Sequence, residues 1–250
     1  MKNHLDYSGS HERGFSLIEM MIVSAILLIV TGAIFAHLNN AQQRMTTEQS
    51  KVDDFDQARD FVDQFFRDIN QIGYPNARMM SFLPAFPQSQ AIPQVAVGLV
   101  QIGNNTIAFE GDINQSGVVQ EVQYVINGSG NCAQCLQRSE IPKVAGPPLT
   151  QMQNGAIWGT EVNDVISNPI FTYYDGTSVN PIPIPAGGLD IVNNGPVLAT
   201  VKTIHIALTI QNPNVIDPRT KQPIQTTFEG EVSLNNCSMA AVGVPPMSCQ

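Results

Sequence analysis

The chain has 250 residues and carries 21 acidic against 12 basic side chains, which gives a formal net charge of −9 at neutral pH. Lysine and arginine form no cluster in the sequence, so the charge distribution argues against nucleic acid as a partner. About 175 residues follow Gly73, a length that fits one globular domain of ordinary size.

The first predicted element is an apolar helix over residues 15–38. A helix of this length spans about 36 Å, and the hydrocarbon core of a bilayer is about 30 Å thick. From Met20 to Ala36 the segment carries no charged residue. Glu19 lies near its start, and a charge at the centre of a membrane helix costs about 2.5 to 3.5 kcal/mol, so an acidic residue in this helix indicates a function.

Two simpler interpretations of this segment are a cleavable signal peptide and a plain membrane anchor. A signal peptide has an apolar core of about 7 to 15 residues followed by a small-residue cleavage site. Here the apolar run is longer, and His37, Leu38 and Asn39 follow it. The pattern therefore disfavours a cleaved signal peptide.

The run Gly14-Phe15-Ser16-Leu17-Ile18-Glu19, followed by Met-Met-Ile-Val, resembles the processing site of type IV prepilins and type II secretion pseudopilins. The resemblance implies a leader over residues 1–14. It also implies that a prepilin peptidase cuts between Gly14 and Phe15 on the cytoplasmic side and methylates the Phe15 amine. In the family, the glutamate at the position of Glu19 meets the amine of a neighbouring subunit during assembly. A contact within one chain is the alternative, because one helical turn separates the two groups.

The same resemblance implies where the protein resides and what it contacts. The chain would cross the bacterial inner membrane once, place its head outside the cytoplasm and then enter a pilus or pseudopilus. Its partners would be the inner membrane, the prepilin peptidase and other pilin or pseudopilin subunits. In the leader, Lys2 and Arg13 are balanced by Asp6 and Glu12, so the predicted orientation depends on the motif rather than on charge.

Residues 39–73 are predicted to continue the helix as an amphipathic segment. Apolar residues recur there at helical spacing: Met45, Val52, Phe55, Val62, Phe66, Ile69 and Ile72. Acidic residues are assigned to a solvated face: Asp53, Asp54, Asp56, Asp60, Asp63 and Asp68. Gly73 and the following Tyr74-Pro75 predict the end of the helix.

Residues 74–250 are predicted to form a β-rich head. The prolines between Met80 and Val95 predict a surface loop. Strands are predicted at residues 98–102, 106–110, 118–126, 136–139, 170–174, 200–210 and 225–234. Along the third, Val118, Val122 and Tyr124 alternate with Glu121 and Gln123. His205 in the strand 200–210 is interpreted as a half-exposed residue rather than a ligand. The expected fold class is α+β, with a long amino-terminal helix packed on a mainly antiparallel sheet, as in pilins.

Blocks in the head, such as the run from Thr106 to Asp112 and Leu136-Gln137-Arg138, resemble the order of elements in PilW-type minor pilins and J-type pseudopilins. This resemblance implies a minor pilin that acts in filament initiation or tip assembly, with a J-type pseudopilin as the alternative. A membrane-anchored binding or hydrolytic β domain is the second alternative. The sequence has no nucleophile elbow and no phosphate-binding glycine loop, so we expect no enzyme.

Asp112, Asn114, Ser116 and Gly117 match the opening of a calcium loop, with oxygen ligands at the first, third and fifth positions and glycine at the sixth. The twelfth position is Gln123 instead of glutamate, and the same residue types form ordinary hairpin turns. A turn is therefore the default prediction, calcium is a weak candidate, and no other cofactor is expected.

Four cysteines lie in the head: Cys132, Cys135, Cys237 and Cys249. The first two form a C-x-x-C pair, but the other two supply no second close pair for zinc. In an oxidising compartment, disulfides are favoured. Of three connectivities we favour Cys132 with Cys135 and Cys237 with Cys249.

Overall fold

The structure is a computed structural model, and it describes residues 14–75, 92–127, 132, 134–216 and 220–235. The chain divides into two compact units, residues 1–49 and residues 50–250. Helix α1, Leu17–Asn70, contributes residues to both units.

The observed helix agrees with the prediction to within a few residues at each end. After Asn70 the chain turns, and Gly73 adopts a positive φ of 74°, a conformation that glycine reaches without steric cost. The Gly73 N–H donates to the Glu110 carbonyl at 2.9 Å, which connects the end of the helix to the sheet. The helix therefore ends near Gly73, as predicted, because this glycine adopts a left-handed conformation and bonds to the sheet.

Nine strands and two short helices form the described part of the head. The strands are β1 Leu99–Ile102, β2 Thr106–Gly111, β3 Gln120–Asn127, β4 Cys135–Pro142, β5 Trp158–Val162, β6 Phe171–Tyr174, β7 Leu189–Asp190, β8 Thr203–Ile216 and β9 Pro223–Ser233. The helices are α2 Pro148–Gly155 and α3 Ile191–Leu198. Sheet A has the order β5-β4-β3-β2-β1-β7, and sheet B has the order β6-β8-β9. The strand pairings are antiparallel, so the α+β prediction is confirmed.

The core of residues 50–250 lies between α1 and the two sheets. Phe65 is fully buried, and its ring centroid is 5.5 Å from that of Tyr124 in sheet A and 5.4 Å from that of Phe171 in sheet B. Phe61 also contacts Tyr124, at 5.6 Å between centroids. One face of α1 therefore packs against residues of both sheets.

The predicted apolar stripe of α1 was partly wrong. Ile69 and Ile72 are buried as expected, but Met45 and Val52 are exposed, and the deepest positions include Phe61 and Phe65, which the spacing did not select. Asp68, assigned to the solvated face, is only 3% exposed. The buried face of α1 is the face that contacts the two sheets. Asp68 can lie on this face because Arg138 of the head pairs with its carboxylate.

Four elements of the head were not predicted: α2, α3, β5 and β7. The sequence of α3 contains Gly195 and Pro196, which argue against a helix, but the Asp190 carboxylate accepts hydrogen bonds from the N–H groups of Val192 and Asn193 and caps its first turn. Strand β8 also continues to Ile216, beyond the predicted end at residue 210.

His205 is half-buried opposite Glu231 of β9, as predicted for a strand residue. Most of the predicted loop 80–95, residues 80–91, lies outside the described residues.

Candidate processing and assembly site

Gly14, Phe15 and Ser16 precede the first turn of α1. Phe15 is 74% exposed, and a Cβ added at Gly14 would meet no heavy atom within 4 Å. Packing within the described chain therefore does not require glycine at position 14. Residues 1–13 of the predicted leader lie outside the described residues.

Ser16 and Glu19 form a reciprocal cap at the start of the helix. The Glu19 N–H donates to Ser16 Oγ at 3.2 Å, and the Ser16 N–H donates to Glu19 Oε2 at 3.4 Å. This is the capping-box arrangement of Ser-x-x-Glu, in which two otherwise unpaired backbone N–H groups gain acceptors. The Ser-x-x-Glu spacing is visible in the sequence, so the spacing of Glu19 serves this cap as well as the predicted ion pair.

The segment that follows presents its apolar side chains outward. Large residues from Leu17 to Leu38 are between about half and four-fifths exposed in the described chain, for example Leu28 at 74% and Phe35 at 62%. By length and composition, α1 is long and apolar enough to cross a membrane. A lipid environment would cover the side chains that the protein leaves exposed.

Residues 9–35 match the model of the prokaryotic N-terminal methylation motif. The methylation motif encloses Gly14, Phe15 and Glu19, together with most of the apolar segment. This match supports a type IV pilin-like protein with a membrane-anchored helix. No significant match is found among curated proteins or among solved structures.

In the head, the loop at Asp112 is closed by its own side chains. The two Asp112 carboxylate oxygens accept from the N–H groups of Ser116 and Gly117, each at 2.9 Å, and Asn114 Oδ1 also accepts from the Ser116 N–H. These bonds belong to a side-chain-stabilised turn. Calcium binding at Asp112, Asn114 and Ser116 stays a prediction, which calcium titration of the full chain would test.

Cys132 forms a disulfide with Cys135, the first residue of β4. Both sulfur atoms lie within 4 Å of Asn163 Oδ1, beside the end of β5. Cys237 and Cys249 lie outside the described residues, so their pairing stays a prediction.

A buried polar network that was not predicted from the sequence joins α1 to sheet A. The Tyr124 hydroxyl donates to Asp68 Oδ2 at 2.6 Å, and the Arg138 guanidinium lies 2.9 Å from the same oxygen. Arg138 also pairs with Glu140 at 2.6 Å. Burial raises the pKa of Asp68, while Arg138 and Tyr124 act to lower it. The network holds the carboxy-terminal turns of α1 on the sheet.

Proposed function

We propose that this protein is a minor pilin, a processed structural subunit of a type IV pilus-like filament that acts in filament initiation or at the tip. The observation that carries the proposal is the methylation motif at residues 9–35, which includes the beginning of the long helix α1. The antiparallel head and the exposed apolar segment support a subunit that is held in a membrane and later packed among other helices. We expect a structural role and no enzymatic activity.

Processing would occur between Gly14 and Phe15, with the leader 1–14 removed by a prepilin peptidase and the Phe15 amine methylated. Gly14→Ala tests this directly, because the added methyl group meets no neighbouring atom and leaves the described fold unstrained. We expect the variant to keep its leader, as measured by mass spectrometry of the intact protein. Normal cleavage and methylation of Gly14→Ala would contradict peptidase recognition at this site.

Assembly would use Glu19, whose carboxylate bonds only the Ser16 N–H of its own cap among the residues that the structure describes. In lipid, an ionised carboxylate without a charged partner is unfavourable. The amine that cleavage creates at Phe15 of a neighbouring subunit supplies that partner. The pair would place Glu19 at the subunit contact.

Glu19→Ala tests the assembly step, with Glu48→Ala as the matched control on an exposed, polar part of the same helix. We expect Glu19→Ala to be inserted and processed but absent from sheared filaments, while Glu48→Ala is incorporated like the natural chain. Equal incorporation of the two variants would contradict the assembly role. Neighbouring genes for a secretion system would instead favour a J-type pseudopilin.

The proposed location is the bacterial inner membrane, with one crossing at residues 15–38 and the head outside the cytoplasm. The disulfide between Cys132 and Cys135 supports this orientation, because disulfides persist mainly in oxidising compartments. The acidic composition is consistent with partners that are proteins and lipid rather than nucleic acid.

A further inference from the structure

Two glutamates and a lysine are buried together in sheet A. Glu110 of β2 lies directly opposite Glu121 of β3 in the antiparallel register, so strand alternation places both side chains on the same face. Glu110 is 0% and Glu121 is 1% exposed, and Lys143, one residue beyond β4, is 4% exposed. Burial of three ionisable side chains in one place is unusual unless they neutralise one another.

One oxygen of Glu110 ties a separate segment of the chain to this cluster. Glu110 Oε2 accepts from Lys143 Nζ at 2.6 Å and from the Val97 N–H at 2.9 Å. Lys143 Nζ also donates to the Val95 carbonyl at 2.7 Å. Glu110 and Lys143 therefore hold the buried residues 95–97 against sheet A.

The remaining carboxyl oxygens of the cluster have no hydrogen-bond partner among the described residues: Glu110 Oε1, Glu121 Oε1 and Glu121 Oε2. An ionised carboxylate can only accept hydrogen bonds, and two carboxylates that share a buried site do not both ionise readily. A single proton on Glu121 makes one of its carboxyl oxygens a donor, from which Glu110 Oε1 can accept.

The net charge of the three side chains also indicates that one proton is shared by the two glutamates. With both glutamates ionised, Glu110, Glu121 and Lys143 sum to −1, whereas one shared proton brings the sum to zero. Helix α2 packs near β3 without a charged residue, and the described residues 92–97 carry none. Burial also raises the pKa of Glu110, but Glu110 Oε2 accepts from both Lys143 and the Val97 N–H, which favour its ionised form, so the proton belongs on Glu121. Burial and the neighbouring Glu110 carboxylate raise the pKa of Glu121 to about 8, although Lys143 acts to lower it.

We propose that Glu121 is a neutral carboxylic acid that shares its proton with Glu110 in the folded head, and that its ionisation at alkaline pH loosens residues 95–97. When Glu121 releases the proton to solvent, its carboxylate competes with Glu110 and the Val95 carbonyl for Lys143. We call the cluster of Glu110, Glu121 and Lys143 a pH-sensitive latch, because its protonation state controls how firmly residues 95–97 are held. This pH response is separate from the proposed filament role and does not depend on that role.

The direction of the pH dependence follows from the protonation states. The folded head keeps the Glu121 proton up to about pH 8, whereas the unfolded chain loses it near the ordinary glutamate pKa of 4.5. Between these values the unfolded state binds fewer protons. Rising pH therefore favours unfolding and local opening, and above the folded-state pKa the effect levels off.

Glu121→Gln tests the latch, because glutamine is uncharged, has nearly the shape of the protonated acid and can donate to Glu110. Glu229→Gln is the matched control, since Glu229 is an exposed strand residue of β9. Unfolding of the full chain in detergent is measured from pH 5 to 8. We expect the ratio of the natural unfolding constant to that of Glu121→Gln to rise by up to about tenfold per pH unit. The control should follow the natural chain, and parallel profiles for all three proteins would overturn the proposal.

Infrared spectroscopy of the same proteins provides a readout that a purely structural role would not change. Near neutral pH exposed carboxyl groups are ionised, because their pKa is about 4. The natural chain should then retain a protonated-carboxyl C=O band that disappears as the pH passes 8 and that Glu121→Gln lacks. Asp68 and Glu161, whose pKa values burial also raises, contribute equally to both spectra. Identical bands in the two proteins, or failure of Glu121→Gln to fold at pH 6, would contradict a neutral Glu121.

Discussion

Arg138 contacts three side-chain oxygens that come from three different elements. Its guanidinium bonds Asp68 Oδ2 on α1, the Tyr124 hydroxyl on β3 and Glu140 Oε2 on its own strand β4. The Arg138 and Asp68 side chains are only 11% and 4% exposed. At this burial a charge that loses its partner is poorly solvated, so the pair matters more through the cost of breaking it than through its net attraction.

Arg138→Met is therefore expected to destabilise the head by about 3 to 5 kcal/mol, because it leaves the Asp68 carboxylate buried with Tyr124 alone. The double variant Asp68→Asn, Arg138→Met should recover part of this loss, since no uncompensated charge remains. Denaturant unfolding followed by the fluorescence of Trp158, the single tryptophan, measures both. Arg59→Met, an exposed residue of α1, is the control and should change stability by less than about 0.5 kcal/mol. A small effect of Arg138→Met alone would show that Asp68 is solvated or neutral.

At the scale of elements, the contact between α1 and the sheets requires glycine at two positions. A Cβ at Gly111, the last residue of β2, would overlap the carbonyl oxygen of Gln71 just after α1. A Cβ at Gly230 of β9 would overlap the ring of Phe66. The Gln71 carbonyl oxygen belongs to the backbone, so it has less freedom to move away than the Phe66 side chain has. Glycine at position 111 therefore allows the helix end and β2 to approach each other closely.

Gly111→Ala should cost about 1 to 3 kcal/mol of stability, the usual range for overpacking. Gly159→Ala in β5 is the matched control, because a Cβ there would lie 3.9 Å from its nearest neighbour, the Arg138 carbonyl oxygen. The midpoint of denaturant unfolding compares the two strand variants. Equal midpoints would mean that the helix end shifts without cost, which would contradict a fixed junction between α1 and β2.

At the scale of the whole molecule, the sequence predicts the long helix and most strands, because period and stop signals act locally. Gly73 predicts the turn that ends the helix, and the methylation motif predicts the membrane segment. The burial of Asp68 and Glu121 could not be predicted in this way, since their partners Arg138, Glu110 and Lys143 are brought together only by strand pairing. Helix α3 was missed for a related reason, since the Asp190 cap offsets an unfavourable composition.

The orientation of the whole chain leads to the last prediction, which concerns the cysteines. If the head is outside the cytoplasm, Cys132 and Cys135 should be bonded in cells, and Cys237 with Cys249 is the expected second pair. Free thiols are blocked by alkylation before membranes are isolated, and the full chain is then digested without reduction for mass spectrometry. Cells that lack disulfide-forming enzymes are the control and should yield alkylated cysteines. Alkylated Cys132 and Cys135 in normal cells would contradict the orientation, whereas a bond from Cys132 to Cys237 would contradict only the pairing, because an oxidised head still lies outside the reducing cytoplasm.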